Sequence, residues 1–373
     1  MTLLKRALGI PAPVIILTFS AARTTCRIPN GPDFPSSIVM KLLRAGVGLA
    51  AVASLALLPS MTWACACGCG VFDVGGGTLI AMPSGSETGW SAWFRYSYMN
   101  QNQNWEGTSR APASDNTDKD VNTNFFTLGG QYVINRDWSV MAELPIYYRR
   151  LTTTDDGTVN GPAGSIYTAD ITAMGDLQLT AIYTGLLSDM SLGLTFGLWL
   201  PTGDYTGPTG SLGGYEFDRD TVPGTGATSL TIGGYYVGGI TTDNRLAYFL
   251  QARYVFAVFT RNDYRPGGEL DGAVGLTYTF DTGANTSITP LLQAKVSYRT
   301  HDTGSNADQL NSGYTRLLVG PGVEARLWKV RLYADVEFPI YQYVNAASSV
   351  AVEGTAGQLV ASVLVNAVAA YDF

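Results

Sequence analysis

The sequence predicts an all-β fold: a transmembrane antiparallel up-and-down β-barrel of about 12 strands. Three observations carry this. From Gly89 onward, apolar and polar residues alternate in segments near the roughly 10-residue length that a tilted membrane strand needs. The connections between segments alternate between short and long. Only 14% of residues are charged, against roughly 25% in an average soluble protein, while Gly (43) and Tyr (21) are abundant.

The elements follow in order. Residues 1–39 read as an upstream extension or a leader, with Met40 as the alternative start. Residues 40–64 read as a secretory signal peptide. Lys41 and Arg44 form its basic end, an apolar run from Ala45 to Leu58 is short for a helical span, and Thr62-Trp63-Ala64 makes a cleavage site. Residues 65–88 form a Cys/Gly-rich segment. It is either a periplasmic lead-in or a plug tucked into the lumen. The barrel itself is expected over 89–373.

The strand segments are 89–101, 123–134, 138–150, 173–185, 190–201, 228–239, 245–259, 271–281, 286–300, 314–327, 329–343 and 357–373. Their faces are consistent. In 173–185, Asp176, Gln178 and Thr180 alternate with Leu177, Leu179 and Ala181. In 329–343, Arg331, Asp335 and Glu337 oppose Leu332, Ala334, Val336, Phe338 and Ile340. In "LLQAKVSYRT", residues 291–300, a one-residue slip would turn Lys295 and Arg299 to lipid, at roughly 2–4 kcal/mol each near the midplane. The tight turns are "INRD", "LLSD", "ITTDN", "DTGANT" and the break near Lys329. The long polar connections are 102–122, 151–172, 202–227, 260–270, 301–313 and 344–356. Short periplasmic turns and long outer loops are the habit of outer-membrane barrels. An even strand count then puts both termini in the periplasm of a Gram-negative-type bacterium. The chain ends "AVAAYDF", with Tyr371 and Phe373 on the apolar face, like the tail by which such barrels meet the barrel-assembly machinery.

The polar faces define a set of lumen-lining candidates: Arg95, Gln131, Glu143, Tyr147, Arg149, Asp176, Gln178, Gln251, Arg253, Gln293, Lys295, Arg299, Glu324, Arg326, Arg331, Tyr333, Asp335, Glu337 and Tyr341. Both signs are present, so the set either pairs across the lumen to stabilise the wall or forms a mixed-charge constriction that selects solutes. Pro145, Pro201 and Pro339 interrupt strands and call for bulges, strand ends or a lateral opening. Carboxylates crowd the long loops, among them Asp115, Asp118, Asp120, Asp155, Asp156, Glu216, Asp218 and Asp220, without an EF-hand spacing.

"CACGCG" sets Cys65, Cys67 and Cys69 two residues apart. Their thiolates suit a soft metal such as Cu(I). A disulfide or structural role, and lipidation of Cys65, stand beside that reading. No other cofactor is expected. Cys26 falls in the leader. "GGG" at 75–77 is no phosphate loop, since no Lys-Ser/Thr follows it. The formal net charge of −7 argues against nucleic acid. An outer-membrane lipase would need a nucleophile beside a base. His301 is the lone histidine, and Ser297, at i−4 on an extended strand, is about 13 Å away. The chain is therefore not read as an enzyme.

Several stretches also resemble the outer-membrane transporter family first associated with the meta-pathway of phenol degradation. These are "GDLQL" at 175–179, "LPTGDY" at 200–205, "AELPIYYR" at 142–149 and "VEFPIYQY" at 336–343. The resemblance implies a barrel that transports small, aromatic or hydrophobic compounds. It supplies no substrate residues, and the cysteine-rich segment departs from it. The expected function is passive passage of small solutes across outer-membrane lipid. The alternative is a structural or metal-handling barrel that uses "CACGCG".

Overall fold

The computed structural model describes residues 74–76, 88–154, 162, 164–206, 219, 221–346 and 356–373. The extension 1–39, the signal segment 40–64, and Cys65, Cys67 and Cys69 lie outside the described residues, as do Asp155, Asp156, Glu216, Asp218 and Asp220.

Twelve antiparallel strands close on themselves. They are β1 (Gly89–Glu106), β2 (Asp118–Val133), β3 (Trp138–Thr154), β4 (Ile166–Met174 and Leu177–Tyr183), β5 (Leu192–Leu200), β6 (Thr228–Gly239), β7 (Leu246–Phe259), β8 (Glu269–Tyr278, continued by Phe280–Gly283), β9 (Thr286–Arg299), β10 (Tyr314–Leu327), β11 (Val330–Val344) and β12 (Gln358–Asp372). Each pairs with its sequence neighbours, and β12 pairs with β1 to complete the ring, from Ser91↔Asp372 upward. Closure gives each strand two neighbours around the circle, the arrangement that a backbone in lipid requires.

The tight turns are made where the sequence supplies residues that tolerate a left-handed backbone. Asn244 (φ 55°) and Asn285 (φ 62°) do so between β6 and β7 and between β8 and β9. Trp328 (φ 56°) adopts the same conformation in the two-residue connection from β10 to β11.

The stretch 291–300 shows how the two faces sort. Leu292, Val296 and Tyr298 are exposed, whereas Gln293, Lys295 and Ser297 are buried inside. Similar exposed apolar residues ring the wall, among them Val140, Phe196, Ile232, Leu250, Val274 and Leu332. Aromatic pairs edge this band at the short-turn end. Trp90–Tyr132 (4.6 Å), Trp138–Tyr183 (4.8 Å), Tyr278–Phe280 (4.7 Å) and Tyr371–Phe373 (5.0 Å) all lie there. A second level of exposed tyrosines, Tyr148, Tyr254, Tyr298 and Tyr343, borders the other side. Trp138 and Tyr148 share β3 ten residues apart. At a rise of about 3.3 Å and a tilt of about 40°, that separation spans about 25 Å, the height of an outer-membrane apolar band. A nitroxide at Val296, in a chain otherwise free of cysteine and reconstituted in lipid, is therefore expected to be relaxed more by oxygen than by a water-soluble nickel chelate. One at Asp189, in the turn before β5, should show the reverse. Equal nickel access at both would overturn this placement.

Four strands run at least four residues further than the sequence suggested. β1 reaches Glu106, β2 starts at Asp118, β3 reaches Thr154 and β4 starts at Ile166. Beyond the tyrosine level the β3–β4 ladder continues as Thr152↔Thr168 and Arg150↔Asp170, and Arg150 meets Asp170 at 2.7 Å on the outer face. Inside the same hairpin Leu151, Ala169 and Ile171 are buried. An outward ion pair belongs in water, so this part of the sheet projects past the membrane. Strands sized to the bilayer stop short of it.

Candidate functional site

The lumen is where the polar faces of the strands meet. Of the candidate set, Arg95, Gln131, Glu143, Arg149, Asp176, Arg253, Gln293, Lys295, Arg331, Tyr333, Asp335 and Glu337 are buried, and Tyr147, Gln178, Gln251, Arg299, Glu324 and Arg326 are half-buried. Tyr341 is a correction: it is 47% exposed on the outer face. Leu317 pairs with Tyr341 and Leu318 with Pro339, so Ile340 is an extra residue in β11. The bulge reverses the alternation, and Gln342 turns inward instead. Pro339 has no N–H for the ladder, which favours a bulge at this point.

On β9, β11 and β12 the inward polar groups form one network. Lys295 Nζ meets Glu337 Oε1 at 2.5 Å. Asn366 Nδ2 donates to Asp335 Oδ1 (2.8 Å) and to Glu337 Oε1 (3.2 Å). Gln293 Nε2 and Tyr333 Oη donate to Asp335 Oδ2 at 2.7 and 2.6 Å. Elsewhere Arg95 faces Glu143 at 3.7 Å and Arg253 faces Asp271 at 2.6 Å. Asp271, Arg316 and Asn366 are buried members that sequence reasoning missed. Arg316 shares the parity of Glu324 and Arg326 and was legible on that ground. Asn366 lies in a strand that is apolar on both faces, and no pattern marks it.

Three residues ahead of β1 sit in this lumen. Val74 is 1% exposed and packs in a cluster with Met99, Phe125, Phe249, Leu318 and Leu364. The Gly75 N–H donates to Gln251 Oε1 at 2.7 Å, and the Gly76 N–H to Gln293 Oε1 at 2.9 Å. Amide oxygens on β7 and β9, the two strands that flank β8, thus hold a backbone that brings no side chains of its own at 75 and 76. The sequence showed glycines here without showing why they are needed.

Space remains on both sides of residues 74–76. A vestibule of about 920 Å³ opens toward the short turns, bordered by Gly76, Thr277, Thr289, Glu324, Arg326 and Arg331. A smaller cavity of about 170 Å³ lies under the long loops, bordered by Arg95, Tyr147, Gln178, Trp199, Arg219 and Arg253 among others.

The family-like motifs act on the loops. Asp176 accepts from Gly203 N (3.0 Å), Thr225 N (2.9 Å) and Thr225 Oγ1 (2.5 Å). It thereby ties both ends of the β5–β6 loop to the rim. Among candidate lumen residues it is the one whose carboxylate is committed to a loop. Its strand is bulged there, since Met174 pairs with Ile146 but Gln178 with Glu143. Pro145 lies opposite and its carbonyl accepts from Gly175 N at 2.9 Å. Pro201 directly follows the end of β5. A comparable anchor is Asp302, which accepts from Tyr264 Oη (2.6 Å), Gly267 N (2.7 Å) and Arg299 (2.6 Å), joining two outer loops. The neighbouring His301 is exposed, and Ser297 is buried on the inner face. In the same loops the Asp263 carboxyl is held below its ordinary value by the Ser305 hydroxyl and N–H.

Near the loop end the wall is interrupted between β11 and β12. The β11–β12 ladder stops at Glu337↔Leu364, and the next contact of β11 on that side is Val344 with Gly107 (2.9 Å). Among the described residues, 338–343 have no ladder to β12. The upper part of β12 follows β1 instead, through register shifts at Met99/Gln101 and Gln101/Gln103. The break starts at the Pro339 bulge.

No family model matches the chain, and no curated relative does. Among solved structures, an outer-membrane channel from Pseudomonas putida F1 is similar, with a TM-score of 0.53 at 14% identity, covering 78% of this chain and 99% of that one. The β domain of the Bordetella autotransporter BrkA reaches a TM-score of 0.41 at 14% identity, over 76% of this chain and 100% of that one. The first likeness identifies the fold as that of Gram-negative outer-membrane barrels.

Proposed function

We propose that this chain is an outer-membrane channel that passes small solutes passively, and that residues 74–76 close it. The observation that carries the reading is residues 74–76 seated in the lumen, with Val74 packed among Met99, Phe125 and Phe249 and the glycine backbone held by Gln251 and Gln293, between a vestibule and a cavity. A scaffold with no traffic would need neither void. The short turns and both termini then face the periplasm, so the closing segment reaches the lumen from that side. Outer-membrane lipid surrounds the apolar band. The exposed Phe373, whose N–H donates to the Trp90 carbonyl at 2.9 Å, offers the barrel-assembly machinery a terminal aromatic. Aromatic or hydrophobic solutes fit the reading on two counts. Aromatic side chains line the inner cavity, and the stretch 338–343, which pairs with β10 but among the described residues has no ladder to β12, gives an apolar solute a way sideways into lipid.

Removal of residues 65–88 tests the closing role. In planar bilayers the shortened chain is expected to conduct at a higher level than the full mature chain, and in liposomes to speed swelling by small solutes. Unchanged conductance would argue against closure by this segment. Absence of both conductance and swelling in the shortened chain would remove the channel.

A further inference from the structure

The cavity under the outer loops has a charge pattern that a simple pore does not require. Five guanidiniums border its 170 Å³, those of Arg95, Arg149, Arg219, Arg253 and Arg299, against the single lining carboxylate of Glu269 among the described residues. Three of them face carboxylates: Arg95 with Glu143 at 3.7 Å, Arg253 with Asp271 at 2.6 Å, and Arg299 with Asp302 at 2.6 Å. Arg149 donates through Nε to Thr123 Oγ1 at 2.9 Å and through Nη1 to the Thr221 carbonyl.

Arg219 is the most telling. Its guanidinium donates to the carbonyls of Tyr205 (2.6 Å) and Thr225 (2.8 Å). It also stands 4.9 and 4.6 Å from the ring centroids of Tyr205 and Tyr264. Carbonyls and ring faces orient this cation, and Asp176 and Asp302 act on it through space. Burial outweighs them and pulls this guanidinium below its ordinary value, as withdrawal from water does to any cation. Thr225, whose carbonyl holds Arg219, is itself bound to Asp176 at the rim.

The remaining wall is aromatic. Trp199 faces the Arg253 guanidinium at 5.6 Å, and Tyr147 and Tyr264 lie on the same cavity. Size limits what fits. An engineered cavity of about 150 Å³ is known to take benzene. A space of 170 Å³ therefore suits one ring with a small substituent.

We propose that this cavity binds a single-ring aromatic carboxylate, its carboxylate on Arg219 and its ring among Tyr147, Trp199 and Tyr264. The inference rests on the channel reading and narrows its solute to an anionic monoaromatic.

The test is equilibrium dialysis of the full mature chain in detergent against benzoate, benzyl alcohol, acetate and 2-naphthoate. Benzoate should bind at least about tenfold more tightly than benzyl alcohol, because a charge-assisted hydrogen bond is worth that much. Acetate and 2-naphthoate should bind weakly, one for want of a ring and the other for size. Arg219→Gln should abolish the preference for benzoate over benzyl alcohol, and Arg219→Lys should restore part of it, with each barrel checked for the folded form that resists unheated SDS. Equal binding of benzoate and benzyl alcohol, no binding of benzoate, or an unchanged preference in Arg219→Gln would each overturn the proposal. If the variants do not fold, the benzoate and benzyl alcohol comparison on the native chain decides alone. Parallel swelling assays keep the two readings apart. Passage without selective binding retains the channel and removes the site, whereas selective binding without passage does the opposite.

Discussion

Gly75→Val is expected to shift the channel from mostly closed to mostly open. Gly75 has φ +99°, and an added Cβ would lie 2.4 Å from Lys295 Cε and 2.6 Å from Gln293 Oε1. A side chain held in left-handed backbone costs roughly 1–2 kcal/mol. Overpacking adds roughly 1–3 kcal/mol more. Neither neighbour can yield freely. Lys295 Nζ is held by Glu337 at 2.5 Å, and the Gln293 amide donates to Asp335 at 2.7 Å. A total near 2–5 kcal/mol moves the balance between seated and withdrawn segment by more than about tenfold. The barrel should still fold, because residue 75 belongs to no strand of the wall. Mean conductance in planar bilayers should approach that of the chain without residues 65–88. Gly76→Val should do less, since its Cβ meets Tyr333 Oη at 3.0 Å and Leu291 Cδ2 at 3.2 Å. A conductance equal to wild type in Gly75→Val would show that the seated segment is not what limits flow.

The fold was legible because membrane barrels write it twice, once in alternation and once in loop length. The turn ends before β7 and β9 fall close to where the sequence put them, since Asn244 and Asn285 take the left-handed backbone there, and the turn before β3 does so because Asn135 Oδ1 accepts from the N–H of Asp137 and Trp138. The lost detail has physical causes. Pro339 announces an irregular strand, but which of its neighbours becomes the extra residue depends on the partner strand, so Tyr341 and Gln342 could not be assigned in advance. Arg150 and Asp170 look like loop residues until their pairing shows a sheet standing in water. Asp176 has the parity of a lumen residue, yet a β4 bulge and three donors from the β5–β6 loop take it to the rim. Glycines 75 and 76 illustrate the deepest limit. Composition says that a backbone is free of side chains, and only the structure says that Lys295, Gln293 and Tyr333 occupy the room a side chain would need.

Lys295→Met should destabilise the barrel by about 3–5 kcal/mol, the usual result of removing one partner from a buried ion pair. The side chains of Lys295 and Glu337 are only 5% and 1% exposed. Asn366 bridges Glu337 to Asp335, so two carboxylates share one amide, and Lys295 Nζ stands at contact distance of Glu337. Without Lys295 both acids face each other in a poorly solvated wall. The double variant Lys295→Met with Glu337→Leu should recover most of the loss, because apolar replacement of a whole buried pair is often neutral. Urea unfolding in lipid vesicles measures both. The outcome also bears on closure. Lys295 lies against Gly75, so a loss below about 1 kcal/mol would mean that the pair behaves as a solvated one. Water would then reach the level at which residues 74–76 are seated, and a seated segment that admits water around Lys295 could not seal the lumen.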